Sequence, residues 1–188
     1  MIIHQLQATY QAQQDRILLR LNTTTNEEFR LWLTRRMLLS FLPQLMKVTS
    51  DMTSKQPQLA SHDSANPQAL AHFKKQEAVA LADFDTPFKA EVMTLPIGSE
   101  PLLASTVHMI PINNEQLTLG FEEPAQGDAA ARNFSVTMDS QVFHSLLHLL
   151  ETVLKHADWG LALTATPESE VANALDDFAD AKPPIYLN

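Results

Sequence analysis

The chain contains no cysteine, which excludes disulfides, thiolate metal sites and cysteine nucleophiles. Glycine is scarce too, with four in 188 residues. Gly98, Gly120, Gly127 and Gly160 stand in no GxGxxG or GK[ST] context, so they cannot build a phosphate-cradling loop. No serine sits in a nucleophile elbow. Every apolar run falls short of the ~18 residues that span a bilayer. The first residues, Met1-Ile2-Ile3-His4-Gln5, lack the basic region and apolar run of a secretory signal, so the cytoplasm is the expected compartment and no membrane contact is expected. Positive charge is the scarcer sign. Thirteen Lys and Arg against 22 Asp and Glu leave a net charge of −9, which opposes broad attraction to nucleic acid or anionic lipid.

Apolar residues are plentiful at 45% and charged residues make up 19%, enough for a well-buried core. Charge is unevenly spread. Up to Lys47 there are six basic residues against three acids, and after it seven against nineteen. Such asymmetry marks either a polyanion site or two halves that attract each other.

The main signal is a repeat. Ile17 to Met46 reads as strand, polar turn, strand and apolar-striped helix, and Leu117 to Leu150 reads the same way. Phe29-Arg30-Leu31-Trp32-Leu33-Thr34 aligns with Phe134-Ser135-Val136-Thr137-Met138-Asp139. Met37, Leu38, Phe41, Leu42 and Leu45 then align with Val142, Phe143, Leu146, Leu147 and Leu150. The expected architecture is α+β: duplicated antiparallel β-sheet units, each followed by a helix, related by a pseudo-twofold. Residues 1–188 form one domain with repeats at 1–48 and 88–157. A linker and helix join them at 49–87, and an acidic helix and tail follow at 158–188.

Period-two alternation predicts strands at His4–Tyr10, Arg16–Asn22 and Glu28–Leu33, with Ile17, Leu19, Leu21, Phe29, Leu31 and Leu33 on one face. Thr34 is suited to cap the following helix, and Pro43 within it predicts a kink or restart. Thr49–Pro67 is polar and aperiodic, which predicts a mobile linker. A helix is expected from Pro67 to about Phe84, with Leu70, Phe73, Val79 and Leu81 as its contacts. Strands follow at Phe88–Met93, Leu102–Ile112, Gln116–Phe121 and Asn133–Met138, with Pro111 ending the second of these or placing it at an edge. Asn113-Asn114 makes a hairpin turn, and Pro124–Arg132 is a loop. Asp139 caps a long helix at Ser140–Ala157, and a short acidic helix is expected at Glu168–Phe178.

Three constellations could carry function. The outward face of the first hairpin collects Arg16, Leu18, Arg20, Arg30 and Trp32, with Arg35 and Arg36 following. Arginine supplies phosphate contacts and tryptophan a stacking platform, the chemistry of single-strand binding. The same face could instead pack on another sheet, on the acidic half or on a second copy, with Leu18 and Trp32 buried and arginines at the rim. The matching face of the second unit, Thr118, Gly120, Glu122, Ser135 and Thr137, has no such residues. On the last long helix, His144, His148 and Glu151 lie one turn apart and could hold a divalent metal. Counting 100° per residue turns them toward solvent, with Glu151 pairing to Lys155. Glu27-Glu28, Glu122-Glu123 and Asp176-Asp177 read as solvated charge.

The run Arg16-Ile-Leu-Leu-Arg-Leu-Asn-Thr with Glu28-Phe-Arg-Leu-Trp-Leu-Thr-Arg-Arg36 resembles the N-terminal signature of a small uncharacterised proteobacterial protein family. That resemblance covers about the first quarter of the chain and implies no activity and no site. The duplicated sheet-then-helix order is similar in topology to the single-strand-binding Whirly and Pur-alpha proteins, which place several strands before each helix. The expected function is a non-catalytic cytoplasmic interaction protein that self-associates through sheet faces or edges and needs no cofactor. The alternative is a single-stranded nucleic-acid binder using Arg16, Arg20, Arg30 and Trp32, helped by Arg35 and Arg36. A third reading is a metal-dependent enzyme at His144 and His148.

Overall fold

A computed structural model of the chain describes residues 1–54, 67–81, 88, 94–127 and 130–160. Strands β1 (Ile3–Gln11), β2 (Arg16–Thr23) and β3 (Glu28–Thr34) form an antiparallel meander that runs into helix α1 (Arg35–Ser54). Helix α2 (Pro67–Leu81) follows. Strand β4 (Leu102–Leu103) then adds to β3 in parallel, giving the order β1-β2-β3-β4. Strands β5 (Thr106–Pro111), β6 (Gln116–Glu123) and β7 (Arg132–Asp139) make a second antiparallel sheet that runs into helix α3 (Ser140–Ala157). The fold is α+β, with a helix after each sheet. Among the described residues no helix is long and apolar enough to cross a membrane.

The repeat is visible in the register. Ile17 faces Leu33, Leu19 faces Leu31 and Leu21 faces Phe29. In the second sheet Leu117 faces Met138, Leu119 faces Val136 and Phe121 faces Phe134. All twelve side chains are buried, and they join the stripes of both long helices in one continuous core. The helix starts match as well. Met37 N donates to Thr34 Oγ1 at 3.3 Å, and Val142 N donates to Asp139 Oδ1 at 2.9 Å.

The two halves are interlocked rather than side by side. Helix α1 lies against β5 of the second sheet as well as its own β3, and α3 lies against β1 of the first sheet as well as β6 and β7. Phe29 and Phe134 meet face to face, with ring centroids 4.2 Å apart and planes at 27°. The two rings hold equivalent positions in the repeat, so the halves meet here through the same residue of each. Phe121 extends the aromatic row at 6.4 Å from Phe134, and Phe41 of α1 stands 6.4 Å from Phe121.

Four local features depart from the sequence reading. Helix α1 does not restart at Pro43 but runs through it as one element, because Pro43 is on the exposed side, where water can satisfy the carbonyl its missing amide frees. It also continues to Ser54, burying Thr49 and Met52, so the first part of the expected linker is helix. The 55–66 stretch lies outside the described residues, as do most of the strand expected at Phe88–Met93 and the helix expected at Glu168–Phe178. Third, the predicted strand Leu102–Ile112 is two strands. Ala104 N donates to Trp32 O in the first sheet at 3.0 Å, and Ser105 N donates to Glu122 O in the second at 2.9 Å. The chain changes sheets between these neighbours, and β5 then forms an edge that ends at Pro111. Fourth, Phe73 and Leu81 of α2 are 60% and 68% exposed, so they are not the contacts that dock it.

Arg132 secures the approach to β4. It pairs with Glu123 and donates to the carbonyls of Ile97 (3.3 Å), Glu100 (2.9 Å) and Pro101 (3.2 Å).

Phe29→Ala and Phe134→Ala are each expected to cost about 3–4 kcal/mol in urea unfolding, through lost burial and the cavity left. The double variant is expected to cost about 0.5–1.5 kcal/mol less than the two singles combined, since the stack can be lost only once. Additive costs would show that the rings do not support each other.

Candidate interaction face

Strand alternation turns Arg16, Leu18, Arg20 and Asn22 of β2 outward with Glu28, Arg30 and Trp32 of β3. The register sets Leu18 directly opposite Trp32, and Arg20 directly opposite Arg30. Two arginines facing each other would repel. Glu28 resolves the conflict. Its carboxylate accepts from Arg20 Nε at 2.8 Å, Arg20 Nη2 at 3.1 Å and Arg30 Nε at 2.6 Å. Burial pushes the Glu28 carboxyl up, but the bonds from Arg20 and Arg30 outweigh it and hold it below the usual carboxylate range. Glu28 is therefore a buried ionic junction and not the solvated turn charge its sequence position suggested.

The other partners also belong to the face. Arg20 Nη1 donates to Gln7 Oε1 of β1 at 3.0 Å, and its guanidinium lies 4.2 Å from the centre of the Phe88 ring. Arg16 lies over the Trp32 ring at 4.9 Å. Leu18, Trp32 and the three arginines are all half-buried. Arg16, Arg20, Arg30 and Trp32 thus come together as expected. Arg35 and Arg36 do not join them. Arg35 donates to the Trp159 carbonyl at 3.1 Å, and Arg36 opens onto a groove beside α1.

The corresponding face of the second sheet is flat and polar. Thr118 and Thr137 share a hydroxyl bond at 2.8 Å, and His108 lies 3.3 Å from Glu122. Gly120 lets the neighbours close in there, since a Cβ would sit 3.3 Å from Ser135 Oγ, tight enough that the hydroxyl would have to shift slightly.

The polar face assigned to α3 is covered in part: His148 is half-buried and Lys155 exposed, but His144 and Glu151 are buried. Helix α2 packs across α3, His144 is 1% exposed and Glu151 is 9% exposed. Glu151 pairs with Lys75 of α2 instead of Lys155. Among the described residues, no three His, Asp or Glu side chains gather to hold a metal. Among the described residues, neither ring nitrogen of His144 has a hydrogen-bond partner, and its ring lies 4.6 Å from that of Phe143. Burial, then the charges of Lys75 and Lys74, lower its pKa to about 4. The sequence signal for this was faint. Helical phase separates the apolar stripe from the rest, but it cannot say that a second helix covers the rest.

Asp15, in the left-handed region between β1 and β2, ties the end of α3 to the first sheet. It accepts from Trp159 Nε1 at 2.6 Å and Tyr10 Oη at 2.9 Å, and those bonds hold its carboxyl below the usual range.

A buried neutral histidine makes stability depend on pH. Unfolded His144 takes up its proton near the ordinary 6.5, and folded His144 only near 4. Its contribution is therefore complete above 6.5 and is lost as pH falls toward 4. Between pH 7 and pH 5 the expected loss is about 2 kcal/mol. Urea unfolding of the wild type and His144→Phe at both pH values checks this, and the variant should lack that part of the slope. Equal slopes would refute the assignment.

No known protein family, curated protein or solved structure matches the chain, so its functional reading rests on its own residues.

Proposed function

We propose that this chain is a non-catalytic cytoplasmic interaction protein that associates with a second copy of itself through the outward face of β1, β2 and β3. The observation that carries the reading is the pair Leu18 and Trp32, directly opposite each other and half-buried, with Arg16 lying over the indole. Tryptophan and arginine are the residues most often found at the energetic centre of protein interfaces. The surrounding arginines are already held, because Arg20 and Arg30 share Glu28 and Arg20 also holds Gln7. A face ordered before contact loses little side-chain freedom on binding. Sharing one carboxylate also reduces the repulsion that three bare guanidinium groups would create between two copies. A cysteine-free chain suits a reducing compartment.

Arg16 over Trp32 also favours a second reading, single-stranded nucleic-acid binding, since the same stack could receive a base. Against it, Glu28 already occupies two of the guanidinium groups and the net charge is −9.

Sedimentation velocity is expected to show a dimer at about 100 µM, and Trp32→Ala is expected to weaken it by at least about tenfold, the loss of one interface hot spot. A monomer at millimolar concentration would overturn the first reading. Anisotropy with a labelled 20-nucleotide single strand at low and moderate salt tests the second, and the absence of salt-sensitive binding would remove it.

A further inference from the structure

A groove of about 460 Å³ lies between α1 and the β4–β5 passage, apart from the outward face of the first sheet. Arg36, Ser40 and Gln44 form its rim, and Met37, Phe41 and Met109 line its apolar part. The duplication supplies an equivalent place for comparison, beside α3. Arg36, Ser40 and Gln44 occupy the positions of Gln141, Ser145 and Leu149 in α3. There Ser145 is buried and Leu149 half-buried, while Ser40 and Gln44 are exposed. In the twin half, Leu6 and Ala8 of β1 hold the register positions of Val107 and Met109 of β5, and all four are half-buried against the core. The difference between the halves lies in the helix: its outer positions are polar and exposed in α1 and covered in α3.

Its electrostatics have one sign. Among the described residues, Arg36 is the single charged side chain of the lining, and it makes no hydrogen bond or ion pair with any of them. It stands in the first turn of α1, which carries no acid, so the positive end of the helix dipole adds to its charge. By contrast, α3 starts from the carboxylate of Asp139. An unpaired guanidinium at a helix start disfavours its own helix, and a bound anion removes that penalty.

We propose that this groove binds a small organic carboxylate with a short apolar body, its carboxylate on Arg36 and its body on Met37, Phe41 and Met109. One guanidinium matches one planar carboxylate in a bidentate pair. The single positive charge and the lack of a glycine-rich loop do not fit a nucleotide polyphosphate. The volume falls within the usual range for small-molecule sites.

The test uses 4-phenylbutyrate and its neutral isostere 4-phenylbutanamide, with methyl-labelled methionine followed by NMR in the full chain. The acid should shift the Met37 and Met109 methyl signals saturably, with a Kd below about 1 mM, and leave the core Met138 unmoved. The amide should bind at least about tenfold more weakly, as expected when a charge-assisted pair is lost. Arg36→Gln should abolish the preference for the acid. Gln44→Leu, which copies the twin half, should weaken both probes. Both variants lie on the surface, and unchanged melting curves would show that they fold. No saturable shift, equal binding of acid and amide, or a preference that survives in Arg36→Gln would each overturn the proposal.

Discussion

The stack of Phe29 on Phe134 is the contact on which the architecture depends. Each ring belongs to the first core position of the strand that leads into its own helix, and each is the other's counterpart in the repeat. A β-β-α unit of this size has too little surface to bury alone. Here each unit completes the other: the equivalent rings meet, and each helix crosses to the outer strand of the opposite sheet. The core is therefore single, although the sheets are two.

Once the inner faces are committed to that shared core, divergence is possible only on the outside. The two outward sheet faces show it. The first carries Arg16, Arg20, Arg30 and Trp32, with Glu28 anchoring Arg20 and Arg30, while the second carries threonines, a serine and a glycine. The helix flanks differ as well, since Ser40 and Gln44 of α1 are exposed at a polar-rimmed groove beside β5 where Ser145 and Leu149 of α3 are covered. A duplicated fold can specialise in this way without disturbing the contacts that hold it together.

The third helix shows where periodicity stops being informative. Helix α3 has one strong apolar stripe, so its remaining face read as solvent-exposed. Helix α2 packs on that face with Lys75 against Glu151, and His144 is buried there with no hydrogen bond among the described residues. Nothing in the pattern of α2 advertised this, because its large apolar residues Phe73 and Leu81 point elsewhere. Glu28 was missed for a related reason. An acid at a strand start reads as solvated until the register shows two arginines converging on it.

By itself the sequence determined the two strand-turn-strand-helix units, their caps at Thr34 and Asp139, and which side chains face inward, because these follow from periods of 2 and 3.6 and from the chemistry of a helix start. It also determined that Arg16, Arg20, Arg30 and Trp32 share a face, since alternation alone demands it. Tertiary structure decided the rest: which helix covers which sheet, that Ala104 and Ser105 bond to different sheets, that His144 is buried, and that Arg35 and Arg36 leave the face for the helix flank. These depend on contacts between residues far apart in the chain, and local pattern carries no information about a partner that arrives from elsewhere.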